Sequence, residues 1–237
     1  TTADPPPHGN AYRVWLARGY GGTMAYLARP DAVRRRLDPR ELLPGARSVV
    51  VVAMSYAWPD DGLTGDPSRA VVARYARGED YHRVFEEKLG ALARWLEASG
   101  GCTKTYVDYG PVLERDLAQR AGLGWAGKNT VLIHPRLGSY LFLGECVTDL
   151  ELEPDPPFTA DRCGTCARCI AACPTGALRG PRELDARLCI SYLTIELRGP
   201  IPRELRPLIG NRVFGCDICQ EVCPWNRDVP ATREPRF

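Results

Sequence analysis

Eight of the ten cysteines in the chain fall into two patterned sets. Cys163, Cys166, Cys169 and Cys173, followed by Pro174, spell C-x2-C-x2-C-x3-C-P. Bacterial ferredoxins hold [4Fe–4S] clusters with this spacing. Closely spaced thiolates on a turn wrap three corners of a cubane, and the fourth cysteine reaches the other cluster when two are present. The second set, Cys216, Cys219 and Cys223 before Pro224, repeats C-x2-C-x3-C-P, with Cys189 upstream. The pairing rule predicts one cluster on Cys163, Cys166, Cys169 and Cys223, and another on Cys173, Cys189, Cys216 and Cys219. Structural zinc also uses C-x2-C pairs, but rarely at this compressed spacing with Cys-Pro endings. Cys102 and Cys146 stand outside both sets, in or beside strand-like segments, and read as ordinary packed thiols.

Clusters alone carry electrons, so the first 150 residues must say where the electrons go. No G-x-G-x-x-G follows a strand and no phosphate-binding P-loop is present, so a nucleotide site is unsupported. His8, His82 and His134 are too scattered for a histidine-rich metal site. The densest stretch is VDYGPVLERDLAQRAGLGWAGKNTVLI, residues 107–133. Asp108 ends a strand just before a Gly-Pro turn. That is a place for a catalytic carboxylate, and equally for a turn former or helix cap. GLGWAGKN is glycine-rich around Lys128, and such a loop lets backbone approach a bulky ligand closely.

The elements that must position these residues can be read from periodicity. Residues 11–29 have helical spacing broken at Gly21-Gly22, and Arg34 to Arg36 read as a solvated helix face. SVVVVAMSY is a buried strand, and residues 81–100 form an amphipathic helix ending at glycines. Residues 103–123 read as strand, turn at Gly110-Pro111, then helix. TVLIHPRLGSYLFLGECVTDLEL reads as two strands joined at PRLG. The proline-rich stretch 153–162 is a linker, which divides the chain into residues 1–152 and 153–237.

Composition narrows the classes. The 237 residues suffice for one or two domains with a proper core. A net charge of +2 indicates no class of partner and lacks the basic excess of many nucleic-acid binders. No apolar run approaches the roughly 20 residues of a membrane helix. TTADPPPHGN does not read as a signal peptide, although a start without Met leaves room for residues upstream. Tightly spaced cysteines point to metal in a reducing, cytoplasmic compartment rather than to disulfides.

The segment from Val107 through Glu145, then the linker, then the two cysteine sets, resembles the epoxyqueuosine reductase family, and ARYARGEDYH (residues 73–82) is similar to another segment of it. The likeness runs from about Ala11 to Asn226. It implies an α+β chain: a nitroreductase-like, cobalamin-binding α/β domain followed by a small ferredoxin-like domain with two [4Fe–4S] clusters. It implies reduction of epoxyqueuosine to queuosine at the wobble position of tRNA. By position, Asp108 matches the proton donor and Arg115 a place near the substrate. Lys128 and Asn129 would line the cobalamin pocket, Ser191, Gln220 and Glu221 would meet the corrin, and Arg198 would face the tRNA. Many members continue into a C-terminal helical-repeat domain, which on this resemblance the chain is expected to lack, along with part of the segment before Ala11.

On this resemblance the clusters feed cobalt one electron at a time, and Asp108 protonates the departing oxygen. Keeping that proton requires an apolar cover over the carboxyl. Tyr75, Tyr81 and Trp125 are candidates for stacking on the base, against the alternative that each is a core aromatic. The expected partners are the tRNA anticodon loop and an electron donor such as flavodoxin or ferredoxin, with the chain a monomer off the membrane. Two other readings remain open. One is a cobalamin-dependent reductase of a small molecule, as in the related reductive dehalogenases, which Tyr109 keeps alive as an acid. The other is a plain electron carrier, against which the large first domain argues.

Overall fold

The computed structural model describes residues 1–59 and 66–237. Its centre is a three-stranded antiparallel sheet in the order β1-β6-β3, formed by β1 (Ser48–Ser55), β6 (Leu141–Thr148) and β3 (Thr103–Tyr106). The short strands between them in sequence are β2 (Val71–Val72), β4 (Trp125–Ala126) and β5 (Leu132–Ile133). The β-branched run of β1 suits a half-buried pleat. β6 lies between two strands, so both its hydrogen-bonding edges are paired.

Alternation along β6 sends neighbouring residues to opposite layers. Phe142 and Gly144 face helix α3 (Tyr81–Glu97), which follows α1 (Gly9–Ala17) and α2 (Pro30–Leu37). Asp80 caps α3, its carboxylate accepting from the His82 amide at 3.0 Å. Leu143, Glu145 and Val147 alternate to the other layer, where Leu143 and Val147 pack with Leu117 and Ala118 of α4 (Glu114–Arg120). Glu145 is fully buried there, and neither carboxyl oxygen has a hydrogen-bond partner among the described residues.

The remaining elements carry the cysteines: α5 (Arg168–Ala172), β7 (Leu178–Gly180), β8 (Glu183–Leu184), α6 (Ile190–Ile195), α7 (Arg206–Ile209), β9 (Arg212–Phe214) and α8 (Ile218–Glu221). They do not stand apart from the first segment. Trp15 and Met24 pack against the core of Ile190, Leu193 and Ile209, and the Trp15 indole donates to Leu184 O at 2.7 Å. β2 pairs in parallel with β9. The Phe237 ring meets Phe142 at 5.0 Å. Residues 153–162 have no regular structure but stay attached, with the Phe158 amide donating to Gln119 O at 2.9 Å.

Several sequence expectations need correction. β5 and β6 do not form a hairpin with each other. β5 pairs with β4, while the PRLG turn closes only through the His134–Gly138 bridge. The pattern showed two strands but not their partners. Cys102 is exposed at the start of β3, whereas Cys146 is fully buried. Arg36 does not lie on a solvated face: it is 9% exposed, and its guanidinium reaches Gly110 O at 3.4 Å.

Two outcomes follow. A Cβ at Gly144 would press deep into the Phe85 ring and lie 2.9 Å from Leu89 Cδ1. Gly144→Ala should therefore cost about 1–3 kcal/mol in urea unfolding, and a neutral result would mean α3 is not seated there. Burial, reinforced by Glu114 and Asp108, pushes the Glu145 carboxyl well above its usual range. A raised carboxyl contributes stability that is complete at low pH and lost as pH rises through its folded value. Glu145→Gln should flatten the fall in Tm as pH rises above the ordinary carboxyl range; an unchanged slope would show that folding does not raise the Glu145 carboxyl.

Candidate active site and cluster-binding cysteines

Asp108 sits two residues past β3 with φ of +54°, one of three non-glycine residues with positive φ among those described. Such a conformation costs an L-residue roughly 1–2 kcal/mol. It is held from two sides. The Asp108 amide donates to Glu114 Oε1 at 2.8 Å, and the Tyr81 hydroxyl donates to Asp108 Oδ2 at 2.5 Å. Hydrogen bonds to charged groups contribute roughly 1.5–3 kcal/mol each, enough to outweigh the strain. His82 Nε2 lies 3.7 Å from the same oxygen, and His82 Nδ1 meets Asp80 Oδ1 at 2.8 Å.

Tyr81 is itself locked. Its ring stacks on Phe142 with centroids 4.1 Å apart and planes 6° from parallel. Burial, then the neighbouring Asp108 charge, drives its hydroxyl pKa far up, so it stays a donor. Burial and the Asp108 charge also push the Glu114 carboxyl up to about 7. The Asp108 side chain is 62% exposed and opens onto a cleft of about 430 Å³. Tyr75, Tyr81 and Phe142 line the cleft from the first segment, and Cys189, Ser191 and Glu196 from the second.

The cysteines gather as two groups. Cys223 lies within electrostatic reach of Cys163, Cys166 and Cys169, and all four wall one small cavity. Cys189 faces Cys173, and Cys219 faces Cys216 and Cys189. Cys219 also feels Cys169, so the groups adjoin, as the packing of α5 on α8 requires. None of the ten is in a disulfide. Among the described residues no three His, Cys, Asp or Glu side chains converge on a single-ion position. Eight free thiols in two adjacent fours suit cubanes, whose corners stand apart, better than they suit one tetrahedral zinc.

Of the residues that the resemblance set near corrin, substrate or tRNA, apart from Asp108, Ser191 lines the cleft and the rest do not. Lys128 Nζ donates to Gly164 O at 2.6 Å and Cys166 O at 2.9 Å, tying down the first cysteine loop. Asn129, 4% exposed, donates to Cys219 O at 3.3 Å, and its Oδ1 has no partner among the described residues. Gln220 is bound to Ser139 and Asp217, and Glu221 pairs with Arg212 at 3.0 Å. The exposed Arg115 donates to Thr130 O, and Arg198 is exposed beyond α6. Tyr75 and Tyr81 line the cleft, but Trp125 is 1% exposed and donates to Cys163 Sγ at 3.4 Å, a packing role.

Sequence reading passed over Glu114, Glu145 and His82. The signals were there: a glutamate at an inward position of LFLGECVT, and a histidine beside Tyr81. Neither had meaning until the chain folded them behind Asp108.

Residues 162–226 match the family described as 4Fe-4S double cluster binding domain, and residues 36–109 match that described as Epoxyqueuosine reductase QueG, DUF1730. An epoxyqueuosine reductase of Pseudomonas aeruginosa is 48% identical over 228 residues, covering 94% of this chain and 63% of that protein. A crystal structure of epoxyqueuosine reductase with an epoxyqueuosine-modified tRNA-Tyr stem loop superimposes with a TM-score of 0.90 at 38% identity, covering 100% of this chain and 63% of that one. A reductive dehalogenase shares the fold at 20% identity with a TM-score of 0.56 over 77% of this chain and 26% of its own. The chain thus spans about three fifths of the length of the relatives it matches. The cysteine pattern, the Asp108 segment and these likenesses along nearly its whole length agree: the chain belongs to the epoxyqueuosine reductase family.

Proposed function

We propose that this chain reduces epoxyqueuosine to queuosine in tRNA, with Asp108 as the proton donor. The observation that carries the reading is the shared cleft: the Asp108 carboxyl and Cys189, a ligand in the assigned second cluster, line the same cavity from opposite segments. Residues 1–152 would supply the acid and substrate side, residues 153–237 the electrons. The two fours of thiols fit [4Fe–4S] clusters, Cys163, Cys166, Cys169 and Cys223 holding one and Cys173, Cys189, Cys216 and Cys219 the other.

The cleft also suits cobalamin in its lining. Aromatic rings offer apolar cover, while the polar atoms of Ser191 and Glu196 are placed to bond amide side chains. When bound, cobalamin supplies a low-potential metal centre able to attack or reduce the substrate. The work of the chain is to hold and move protons. Loss of the epoxide oxygen as water consumes two electrons and two protons. Asp108 gives one proton to the departing oxygen, solvent supplies the second as water leaves, and the Asp108 carboxylate is then stabilised by the Tyr81 hydroxyl. Closure of the exposed face of Asp108 by bound ligands would exclude water and favour the protonated acid. An anticodon base needs no duplex melting to enter such a cleft, where Tyr75 is the candidate to stack on it, since the Tyr81 ring is already stacked between His82 and Phe142. Arg115 and Arg198 are exposed and available to the RNA backbone.

The small-molecule reading is less well supported. Tyr109, its candidate acid, is 64% exposed, and its hydroxyl donates to Glu86 rather than lining the cleft.

Two tests address the reading. With clusters reconstituted anaerobically, cobalamin and a low-potential reductant added and epoxyqueuosine tRNA supplied, the digested nucleoside should lose one oxygen by mass spectrometry. Asp108→Asn should keep iron and cobalamin binding yet slow this loss by about 10²-fold or more; full turnover by the variant would remove Asp108 from the role. Cys223→Ala should halve the bound iron and leave the signal of one cluster in electron paramagnetic resonance after reduction. Retention of all the iron would break the assigned pairing.

A further inference from the structure

The loop that carries Asp108 is gripped from behind by groups that do not face the cleft. Glu114 Oε1 accepts from the Asp108 amide at 2.8 Å, and Arg36 Nη2 donates to Gly110 O at 3.4 Å. The loop is closely seated, because a Cβ at Gly110 would lie 2.5 Å from the Tyr106 ring. Asp108 keeps a left-handed backbone, φ +54°, without being glycine, so the surrounding contacts must impose it. Among the described residues, the one contact that acts on the backbone of Asp108 itself from outside its turn is the Glu114 carboxylate. Glu145 lies fully buried in the layer that α4 covers, with both oxygens unpartnered among the described residues.

From this geometry we infer that Glu114 is a positioning residue: its carboxylate, acting through the Asp108 amide and never on substrate, holds the acid in the conformation that aims it into the cleft. The inference deepens the proposed role of Asp108 and rests on it for its catalytic consequence, though not for its structural one. Two further observations support it. Glu114 occupies the first position of α4, so the helix fixes its Cα relative to β6. The Tyr81 bond reaches only the side chain of Asp108 and cannot by itself set φ. With Glu114 removed, the backbone of Asp108 relaxes towards negative φ, and the carboxyl swings off the Tyr81 hydroxyl.

The glutamine variant separates the hydrogen bond from the charge. Its amide oxygen can accept from Asp108 N–H while the side chain carries no charge. Glu114→Ala loses both, and Glu114→Asp falls one methylene short. The test reads amide hydrogen exchange of the peptide covering residues 106–113 in the cluster-loaded protein, without tRNA, alongside turnover. Expected are faster exchange of that peptide in the alanine and aspartate variants, unchanged exchange in β6 and α3, and protection restored in the glutamine variant. Turnover should fall about ten- to a hundredfold in the alanine variant through kcat, with KM for tRNA unchanged, and recover in glutamine. Unaltered exchange at 106–113 in a folded alanine variant would overturn the inference. So would a glutamine variant as loose as alanine, including the case in which alanine fails to fold. Loosening of the loop together with no reaction even in the unmodified protein would instead sink the proposed function and leave the positioning role standing.

Discussion

β6 is the strand to which every proposed functional group is referred. It is central in its sheet, so its two faces have different duties. On one face Phe142 carries the Tyr81 ring, and Gly144 admits α3 closely enough to bring Tyr81 and His82 to Asp108. On the other face Glu145 lies in the layer beneath α4, whose first residue holds the Asp108 amide. A single residue slip of β6 would exchange these faces and dismantle both supports at once. The missing side chain at Gly144 matters as much as any side chain present.

The cysteine segment is tied to that frame at several separate points. Trp15 and Met24 enter its core, β2 pairs with β9, and Lys128 holds the backbone of the first cysteine loop. These ties fix where Cys189 stands relative to Asp108. Under the proposed function, electrons would then be delivered and a proton given within one cleft, although the two groups lie far apart in sequence. A mobile linker between separate domains could not set such a distance. The stretch 153–162 is irregular but packed, with Phe158 stacked 5.6 Å from Trp125.

Charge is concentrated behind the cleft. Asp108, Glu114 and Glu145 are three carboxyls in electrostatic contact, with Arg36 and Arg115 nearby. Burying an unpaired charge is costly, and a buried carboxyl takes up a proton instead. Burial and the neighbouring carboxyls push Glu145 towards its neutral form, while the Glu114 carboxyl accepts from the Asp108 amide. The left-handed strain at Asp108, roughly 1–2 kcal/mol, is smaller than such a charge-assisted bond typically contributes.

The sequence by itself supplied the expected cysteine pairing, because Cys-x2-Cys spacing is local geometry and the Cys-Pro endings mark where a run leaves one cluster for the next. It also showed the two long strands and α3, whose apolar periodicities are strong, and it marked Asp108 as a strand-end carboxylate. The tertiary structure decided the rest. Strand partners, the exposure of Cys102 and the burial of Arg36 and Trp125 all depend on contacts between residues distant in the chain, and periodicity carries no information about those. The same holds for Gln220, Asn129 and Lys128: the resemblance sent them towards the corrin, yet their hydrogen bonds hold the cysteine segments and their surroundings. Glu114 and Glu145 are ordinary glutamates in sequence. They acquire a role only because β6 and α4 place them behind the same backbone amide, where desolvation and like charge change what a carboxyl does.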